Sequence, residues 1–247
     1  ETKAPLFVVH ITHNAMGRVS QWLQMIDDAN DAGANIATET LSYAAGGTSI
    51  SADVFRNRDW QGMFDITHED VQWVATGEWL TEETWNKYAR EQPGGAVNHH
   101  YVKEDWIETA LKWPRMMVAT DALPAVDLRV KTNPNVAGTF SRVLGHYVRD
   151  TGLLTLSDGL ARMSLYQAQW LSQSSSSFDK KGRIQLGADA DIVIFDPIKV
   201  QANAAYGDPY QPPSGIPYVV VAGQIVVKNS VVVAGVYPGK RILGDTK

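Results

Sequence analysis

The sequence predicts an α/β fold built on a parallel sheet, followed by a smaller β-rich module. Over roughly the first two-thirds of the 247 residues, short apolar runs typical of buried strands alternate with amphipathic runs typical of helices. This alternation favours βαβ units, in which a helix connects two parallel strands. After Leu171 the spacing of apolar residues drops to two, which is typical of antiparallel strands with one buried face.

The first part of the chain reads as strand, helix and strand. The near-continuous apolar run predicts a buried strand in PLFVVHIT (5–12), and apolar residues at helical spacing then predict a helix in SQWLQMIDDANDAG (20–33), ending at Gly33. The next strand is predicted in ANIATETLSY (34–43). Residues 46–95 have no clean period and predict an elaborated loop with short helices such as TEETWNKYARE (81–91).

The middle of the chain repeats the alternation. A helix is predicted in KEDWIETALKW (103–113), and a strand ending at Asp121 is predicted in RMMVATDALP (115–124). Helical spacing of apolar residues returns in GTFSRVLGHYVRD (138–150) and in TLSDGLARMSLYQAQWL (155–171), which opens with the cap-like pair Thr155 and Asp158.

The C-terminal part begins with a polar joint, SQSSSS (172–177). Short antiparallel strands are predicted beyond it in RIQLG (183–187), ADIVIFD (190–196) and PYVVVAGQIVVKNSVVVAG (217–235). Within the last run, Ala222-Gly223 and Asn229-Ser230 are turn signals.

Composition excludes several classes of function. A formal net charge of −5 and a pI near 5.7 argue against nucleic acid or an anionic membrane as partner, because both require a concentrated positive field. No apolar run has the length of a membrane span. The local cations Arg18, Arg129 and Lys131 could still bind a small polar or anionic substrate. Since cysteine is absent, any metal must be held by His, Asp, Glu, Lys or Tyr.

Four segments together resemble a known family. They are MMVATDALP, GTFSRVLGHYVRDTGLLTLSDGLARMS, GRIQLGADADIVIFDP and VVVAGQIVVKNSVVVAGVYPGKRIL. In their order and spacing they resemble the C-terminal half of the N-acyl-D-amino-acid deacylases of the metal-dependent amidohydrolase superfamily. The resemblance implies a (β/α)8 barrel with an accessory β-sandwich, and a site for one or two zinc ions at the C-terminal mouth of the barrel.

The resemblance also implies a domain organisation. Residues 1–173 are expected to be half of the barrel, strands five to eight, residues 174–181 a Ser-rich joint, and residues 182–247 part of the sandwich. The first four strands, with a His-x-His metal pair, are not in this sequence. Half a barrel leaves unpaired strand edges, so we expect a partner chain that carries the N-terminal half, and an oligomer. The cytoplasm is the expected location.

The stretch LFVVHITHN (6–14) provides the candidate metal ligand. In the family the fifth strand ends in a ligating histidine, and the resemblance places His13 there. Strand alternation would put Val9, Ile11 and His13 on one face and His10 on the other, so His10 is expected to be structural or to support the ligands. The alternative for His13 is a histidine satisfied by hydrogen bonds at a strand end.

Asp121 is the candidate catalytic residue and a further metal ligand. ATDALP (119–124) matches the family's Ser-Asp-Gly-Leu-Pro-like motif, with alanine in place of glycine. The resemblance implies that this carboxylate accepts a proton from the attacking water and passes it to the leaving amine. The alternative is that Asp121 only caps the following loop.

The remaining candidates lie where the chain departs from the family. His99 matches a family histidine and is expected to contact the substrate or the ligands, unless it is an exposed loop residue. Strand six should end in a second histidine, but TETLSYAAGGTS (38–49) contains none, so Glu39 or Tyr43 could substitute as an oxygen donor, although a tyrosine more often packs. Relatives have at this point a segment that contains an arginine suited to binding a substrate carboxylate. This chain has Asn133-Pro134-Asn135 instead, and the arginine is missing.

The resemblance therefore predicts a metal-dependent hydrolase of C–N amide bonds, acting on a small-molecule amide such as an N-acyl amino acid. Because of the departures at residues 133–135, substrate choice is expected to differ from that for a simple acyl-D-amino acid. A cyclic amide is an alternative substrate. The rival hypothesis is a non-catalytic binding or scaffold subunit with a decayed metal site, which the missing strand-six histidine favours.

Overall fold

The computed structural model describes residues 4–122 and 127–245, which form two compact units. The first unit contains the described residues of 1–113, 119–139 and 204–212, and the second those of 114–118, 140–203 and 213–247. Within the described ranges, no helix is both long enough and apolar enough to span a membrane. The domain boundaries expected at residues 173 and 182 remain a prediction.

The first unit opens with a βαβ arrangement. Its elements are β1 (Leu6–Val8), α1 (Ile11–Ala15), α2 (Val19–Asp31) and β2 (Ile36–Thr40). The two strands are parallel, with Leu6 opposite Ile36 and Val8 opposite Thr38, as predicted. Strand β1 is shorter than predicted, because the chain leaves the extended conformation and enters a helix. The fully buried Leu23 anchors α2, whose last turn is closed by Gly33 in a left-handed conformation (φ 93°).

A four-stranded antiparallel sheet follows, where the sequence predicted mainly a loop. Its elements are β3 (Gly46–Ser49), α3 (Asp53–Arg56), α4 (Trp60–Phe64), β4 (Val71–Trp73), β5 (Glu78–Trp79), α5 (Glu82–Glu91) and β6 (Ala96–His99). The strand order is β3-β6-β4-β5. The loop prediction is wrong because strands of two to four residues are too short to display a period, and β3 pairs with a strand that is distant in sequence.

Buried aromatic residues hold this sheet and its helices together. Trp60 and Trp85 stack with ring centroids 5.0 Å apart, and Phe55 meets Trp85 edge-on at 5.1 Å. Trp73 stacks on Tyr88 at 4.4 Å. Phe55 also meets His99 of β6 edge-on at 5.3 Å, so these aromatic contacts extend to β6.

Helix α6 (Glu104–Lys112) confirms its prediction. It buries Ile107, Ala110 and Leu111, and it packs on α1, α2 and β2. Beyond it, the predicted strand at 115–124 is reduced to β7 (Met117–Val118), and Leu123 and Pro124 lie outside the described residues.

The helical part of the second unit is nearly continuous. After α7 (Asn135–Arg142), which begins in the first unit, come a π-helix (Val143–Asp150), α8 (Leu156–Leu160), a second π-helix (Ala161–Leu165) and α9 (Tyr166–Leu171). Thr155 caps α8 by accepting a hydrogen bond from the Asp158 N–H at 3.1 Å. The Ser-rich joint is partly ordered as a 3-10 helix (Ser176–Lys180).

The second unit ends in a four-stranded antiparallel sheet. Its strands are β8 (Ile192–Ile194), β9 (Tyr218–Val221), β10 (Gln224–Lys228) and β11 (Val231–Val232), in the order β11-β10-β9-β8. The β9–β10 hairpin turns at Ala222 and Gly223, both at positive φ, as the sequence predicted. The predicted strand at residues 183–187 does not form.

Candidate functional site

A cavity of about 720 Å³ lies in the first unit. His10 and His13, which follow β1, line it from one side, and His99 and neighbouring residues of β3 and β6 line it from another. Asp121 and the segment 130–133 also belong to the lining. The volume is sufficient for a small-molecule substrate.

His10 marks the point at which the chain leaves β1. Its backbone is in the left-handed region (φ 35°, ψ 59°), which is unfavourable for a residue with a side chain, and it precedes the first residue of α1. Its N–H donates a hydrogen bond of 2.5 Å to Oε1 of Glu39 in β2. Its ring Nδ1 is buried without a hydrogen-bond partner. His10 is therefore held in a strained backbone conformation by the surrounding structure.

His13 lies inside α1, so the strand alternation that favoured it as the residue facing the centre is wrong. The chain is helical from Ile11, and face alternation does not apply there. Both ring nitrogens of His13 have partners: Nδ1 lies 3.1 Å from Thr12 Oγ1, and Nε2 lies 3.3 Å from the Ala45 carbonyl oxygen. The alternative of a hydrogen-bonded histidine describes its surroundings better. Burial is the main cause that lowers the pKa of His13 to about 4.

Glu39 is a buried carboxyl group with one free oxygen. It is 3% exposed, and its Oε2 has no hydrogen-bond partner. Burial raises the pKa of Glu39 to about 7, the hydrogen bond from the His10 N–H opposes this rise, and the charge of Asp121 adds to it. Sequence reasoning named Glu39 as a substitute for the missing strand-six histidine, and the structure brings it next to His10.

Asp121 is an exposed residue of the cavity lining with φ 46°. The preceding segment is fixed next to β2, because the Ala119 N–H donates to the Thr40 carbonyl at 3.1 Å. Asp121 is near enough to Glu39 to influence its ionisation. Its side chain is therefore accessible from the cavity.

His99 is buried in the cavity wall and stacks on Tyr101, with ring centroids 5.0 Å apart. Gly46 allows this packing, since a Cβ there would lie 2.6 Å from the His99 ring. Burial, with the charge of His13 adding to it, lowers the pKa of His99 to about 4. His99 is thus a neutral imidazole at pH 7, with an unpartnered Nδ1.

Tyr43 is not among the cavity-lining residues. Its hydroxyl donates to the Ala204 carbonyl at 3.0 Å, and its ring contacts Tyr206 edge-on. It therefore packs, as the alternative anticipated. Two tyrosines of the lining, Tyr101 and Tyr210, were missed. Tyr101 could have been suspected because it follows His99-His100, whereas the local pattern around Tyr210 contains no signal.

The donor groups fit part of a zinc site. An imidazole nitrogen on His10 and a carboxylate oxygen on Glu39 are the donor types that zinc accepts, and both are buried and unpartnered. A catalytic zinc takes three protein ligands. Among the described residues, however, no group of three or more His, Cys, Asp or Glu is placed to hold a metal ion.

Comparison with known proteins assigns the chain to a family. Residues 8–227 match the sequence model of the Amidohydrolase family, and the chain belongs to that family. Within it, the chain is similar to a D-aminoacylase of Alcaligenes xylosoxydans xylosoxydans, being 29% identical over 237 residues, which cover 90% of this chain and 46% of the relative. The chain thus spans about half the length of the curated relatives that it matches.

Two solved structures are similar as well. A D-aminoacylase structure concerned with its binuclear metal centre superposes with a TM-score of 0.75 at 23% identity, covering 94% of this chain and 48% of that one. An N-acyl-D-glutamate deacylase from Bordetella bronchiseptica, complexed with zinc and a phosphonate mimic of the tetrahedral intermediate, gives 0.74 at 27% identity, covering 91% and 47%. The fold is the mixed α/β fold of amidohydrolase structures.

The raised pKa of Glu39 predicts a pH dependence of stability in metal-free protein. An acid whose pKa rises on folding destabilises the folded state as pH increases from its unfolded pKa, about 4.5, through its folded value, about 7. Glu39→Gln removes this effect. The difference between the free energy of unfolding of the variant and that of the parent should therefore increase between pH 4.5 and 8, by up to about 3 kcal/mol in favour of the variant.

Urea unfolding of both proteins in chelator, each assembled with the expected N-terminal half, measures the difference over this pH range. The histidines of lowered pKa are common to both proteins and cancel. A difference that is constant with pH would show that Glu39 titrates normally.

Proposed function

We propose that this chain is part of a metal-dependent hydrolase that removes the acyl group from an N-acyl amino acid. One observation supports it most: His10 Nδ1 and Glu39 Oε2 are buried and unpartnered beside the ends of adjacent parallel strands, next to a substrate-sized cavity. In an amidohydrolase, strand C-termini carry the site. The relatives named above, a D-aminoacylase and an N-acyl-D-glutamate deacylase, act on molecules of this class.

His10, Glu39 and Asp121 are the residues of this chain that would hold zinc, as one or two ions. When bound, zinc lowers the pKa of its water towards about 7, so that a nucleophile is available at neutral pH. Glu39 is suited to the task because the hydrogen bond from the His10 backbone N–H fixes its carboxylate before any ligand arrives. We place the ligand role on His10, since the ring nitrogens of His13 are already engaged.

Asp121 would move the proton. Its carboxylate accepts a proton from the water that adds to the amide carbonyl carbon, and it returns that proton to the nitrogen as the C–N bond breaks. Products are then a carboxylate and a free amine. Lys131 is the one Lys or Arg among the described lining residues, and with Asn133 it is available to a polar or anionic substrate group.

We further propose that residues 1–173 are strands five to eight of a barrel, joined through residues 174–181 to part of a sandwich at 182–247. Strand β1 is an end strand, and apolar side chains of β1, its next residue and α2 are exposed: Leu6 53%, Val9 45%, Trp22 37% and Met25 61%. An exposed apolar face of this kind is typical of a surface that packs against another element, and in a barrel that element would be a further βα unit. The N-terminal half, on the same or another chain, would supply it.

A second candidate function is a non-catalytic binding or scaffold subunit. It is favoured by the lack of a three-ligand group among the residues that the structure describes. The two candidates differ in metal content, because only the hydrolase requires zinc.

The two histidines near β1 provide a matched pair of variants for the metal. His10→Ala should lose most of the zinc bound by the assembled protein, because it removes a ligand nitrogen, whereas His13→Ala should retain it. Zinc content after dialysis, measured by plasma mass spectrometry, shows which of the two histidines binds the metal. Zinc lost only in His13→Ala would return the ligand role to His13, and a zinc-free parent would support the scaffold candidate.

Asp121→Asn tests the proton transfer. The amide has the shape of the carboxylate but cannot accept the proton, so turnover of an N-acetyl amino acid should fall by about 10² or more, the usual scale for a positioned acid–base group. Zinc content is measured in parallel, and turnover is expressed per zinc bound, so that loss of a zinc ligand is distinguished from loss of the proton acceptor. A twofold loss of turnover would reduce Asp121 to a residue that caps the loop.

Co-expression tests the assembly. This chain produced with a segment bearing the first four strands should be soluble and co-purify in equal amounts, while the chain alone should aggregate through its open strand edge. Size-exclusion chromatography with light scattering measures both. A soluble monomer of the isolated chain with cooperative unfolding would argue against the half-barrel proposal.

A further inference from the structure

Residues 204–212, here called the strap, belong to the first unit, although the flanking residues on both sides belong to the second. The strap contains a tight turn in which the N–H groups of Ala205 and Asp208 donate to each other's carbonyl oxygens, at 3.1 and 3.0 Å. Gly207 lies in this turn with φ 89°. The strap is therefore an ordered element of the first unit.

The beginning of the strap is anchored in buried surroundings. Ala204 is 6% exposed, and its carbonyl accepts the hydrogen bond from the Tyr43 hydroxyl. The Tyr206 ring meets the His100 ring at 4.6 Å and the Tyr43 ring at 6.0 Å. Three contacts thus hold the strap before the chain reaches Tyr210.

Tyr210 connects the strap to the cavity. It lines the cavity, and its hydroxyl donates a hydrogen bond of 2.5 Å to the carbonyl oxygen of Val130. Val130 belongs to residues 127–133, here called the wall segment, which contributes Lys131 and Asn133 to the lining. Val130 itself is 65% exposed, so packing alone holds it weakly.

The other hydrogen bonds of the wall segment are local. Arg129 bonds Asp127 through its side chain and backbone N–H, and the Val130 N–H donates to the Asp127 carbonyl at 3.0 Å. Within 4–122 and 127–245, the bond from Tyr210 is the only one that ties the wall segment to residues outside it. Among the described residues, this hydrogen bond is thus the one that connects the wall segment to the rest of the first unit.

We propose that Tyr210 is a positioning residue for the substrate: its hydroxyl holds the wall segment in place, and through it Lys131 and Asn133. The strap, far along the chain from the ligands and from Asp121, thereby sets the shape of the cavity on the substrate side. The kinetic part of this proposal rests on the proposed hydrolase function, whereas the structural part does not.

Limited proteolysis tests the structural part without a substrate. Arg129 and Lys131 are trypsin sites within the wall segment, and Tyr210→Phe removes only the hydroxyl. A hydrogen bond of ordinary net strength changes the ratio of closed to open segment by roughly threefold to tenfold. Cleavage after these two residues in the assembled protein should accelerate by that factor, since cleavage follows the open population when reclosing is fast.

Tyr218→Phe is the matched control. It removes another tyrosine hydroxyl bond, to Asn229 Oδ1 at 2.9 Å in the second unit, and should leave cleavage at Arg129 and Lys131 unchanged. Peptide mass spectrometry identifies the sites, and the unfolding temperature reports global stability. Rates within twofold of the parent, or an acceleration equal at all tryptic sites, would overturn the proposal.

Steady-state kinetics tests the positioning role. In Tyr210→Phe, KM for an N-acetyl amino acid should rise by the same threefold to tenfold while kcat stays within about twofold, because the groups that move the proton are untouched. A fall in kcat at constant KM would overturn the role. If the parent hydrolyses no such amide, the proposed function fails, and the proteolysis result still decides whether Tyr210 holds the wall segment.

Discussion

The hydrogen bond from the His10 N–H to the Glu39 carboxylate is the interaction on which the site depends. It joins the ends of β1 and β2, which run parallel, and it accompanies a left-handed residue whose conformation costs about 1–3 kcal/mol. When Glu39 is ionised, a hydrogen bond to its charged group contributes about 1.5–3 kcal/mol, which is comparable to that cost. The bend turns the chain into α1, and Nδ1 of His10 and Oε2 of Glu39 are buried without hydrogen-bond partners.

Much of the fold could be predicted because its signals are local. Helices α2 and α6 have apolar residues at helical spacing, and the β9–β10 turn contains Gly223, which is suited to positive φ. The sheet β3-β6-β4-β5 could not be predicted, since its stability comes from pairing between distant segments and from aromatic contacts such as Trp60 with Trp85. Local patterns do not contain that information.

The sequence predicted which residues lie at the site better than it predicted the role of each residue. The resemblance pointed to the end of strand five, and His10 and His13 both lie there, but the choice between them depended on how far the strand extends. Because the strand ends at Val8 and a helix begins at Ile11, side chains do not alternate between two faces from His10 to His13, and the basis of that choice is lost. Glu39 was named only as a substitute donor, and its contact with His10 is a property of strand register.

The cavity combines walls of different stability, which has a consequence for specificity. The wall at β3 and β6 is part of a hydrogen-bonded sheet packed on aromatic rings, so its residues are fixed by many contacts. Among the described residues, the hydrogen bond that connects the wall segment 127–133 to residues outside it comes from the Tyr210 hydroxyl. The hydrogen bond that holds this segment is separate from the one that joins His10 and Glu39. The groups proposed to bind a substrate and those proposed to cleave it therefore lie on segments held by different contacts, which would make the two functions separable.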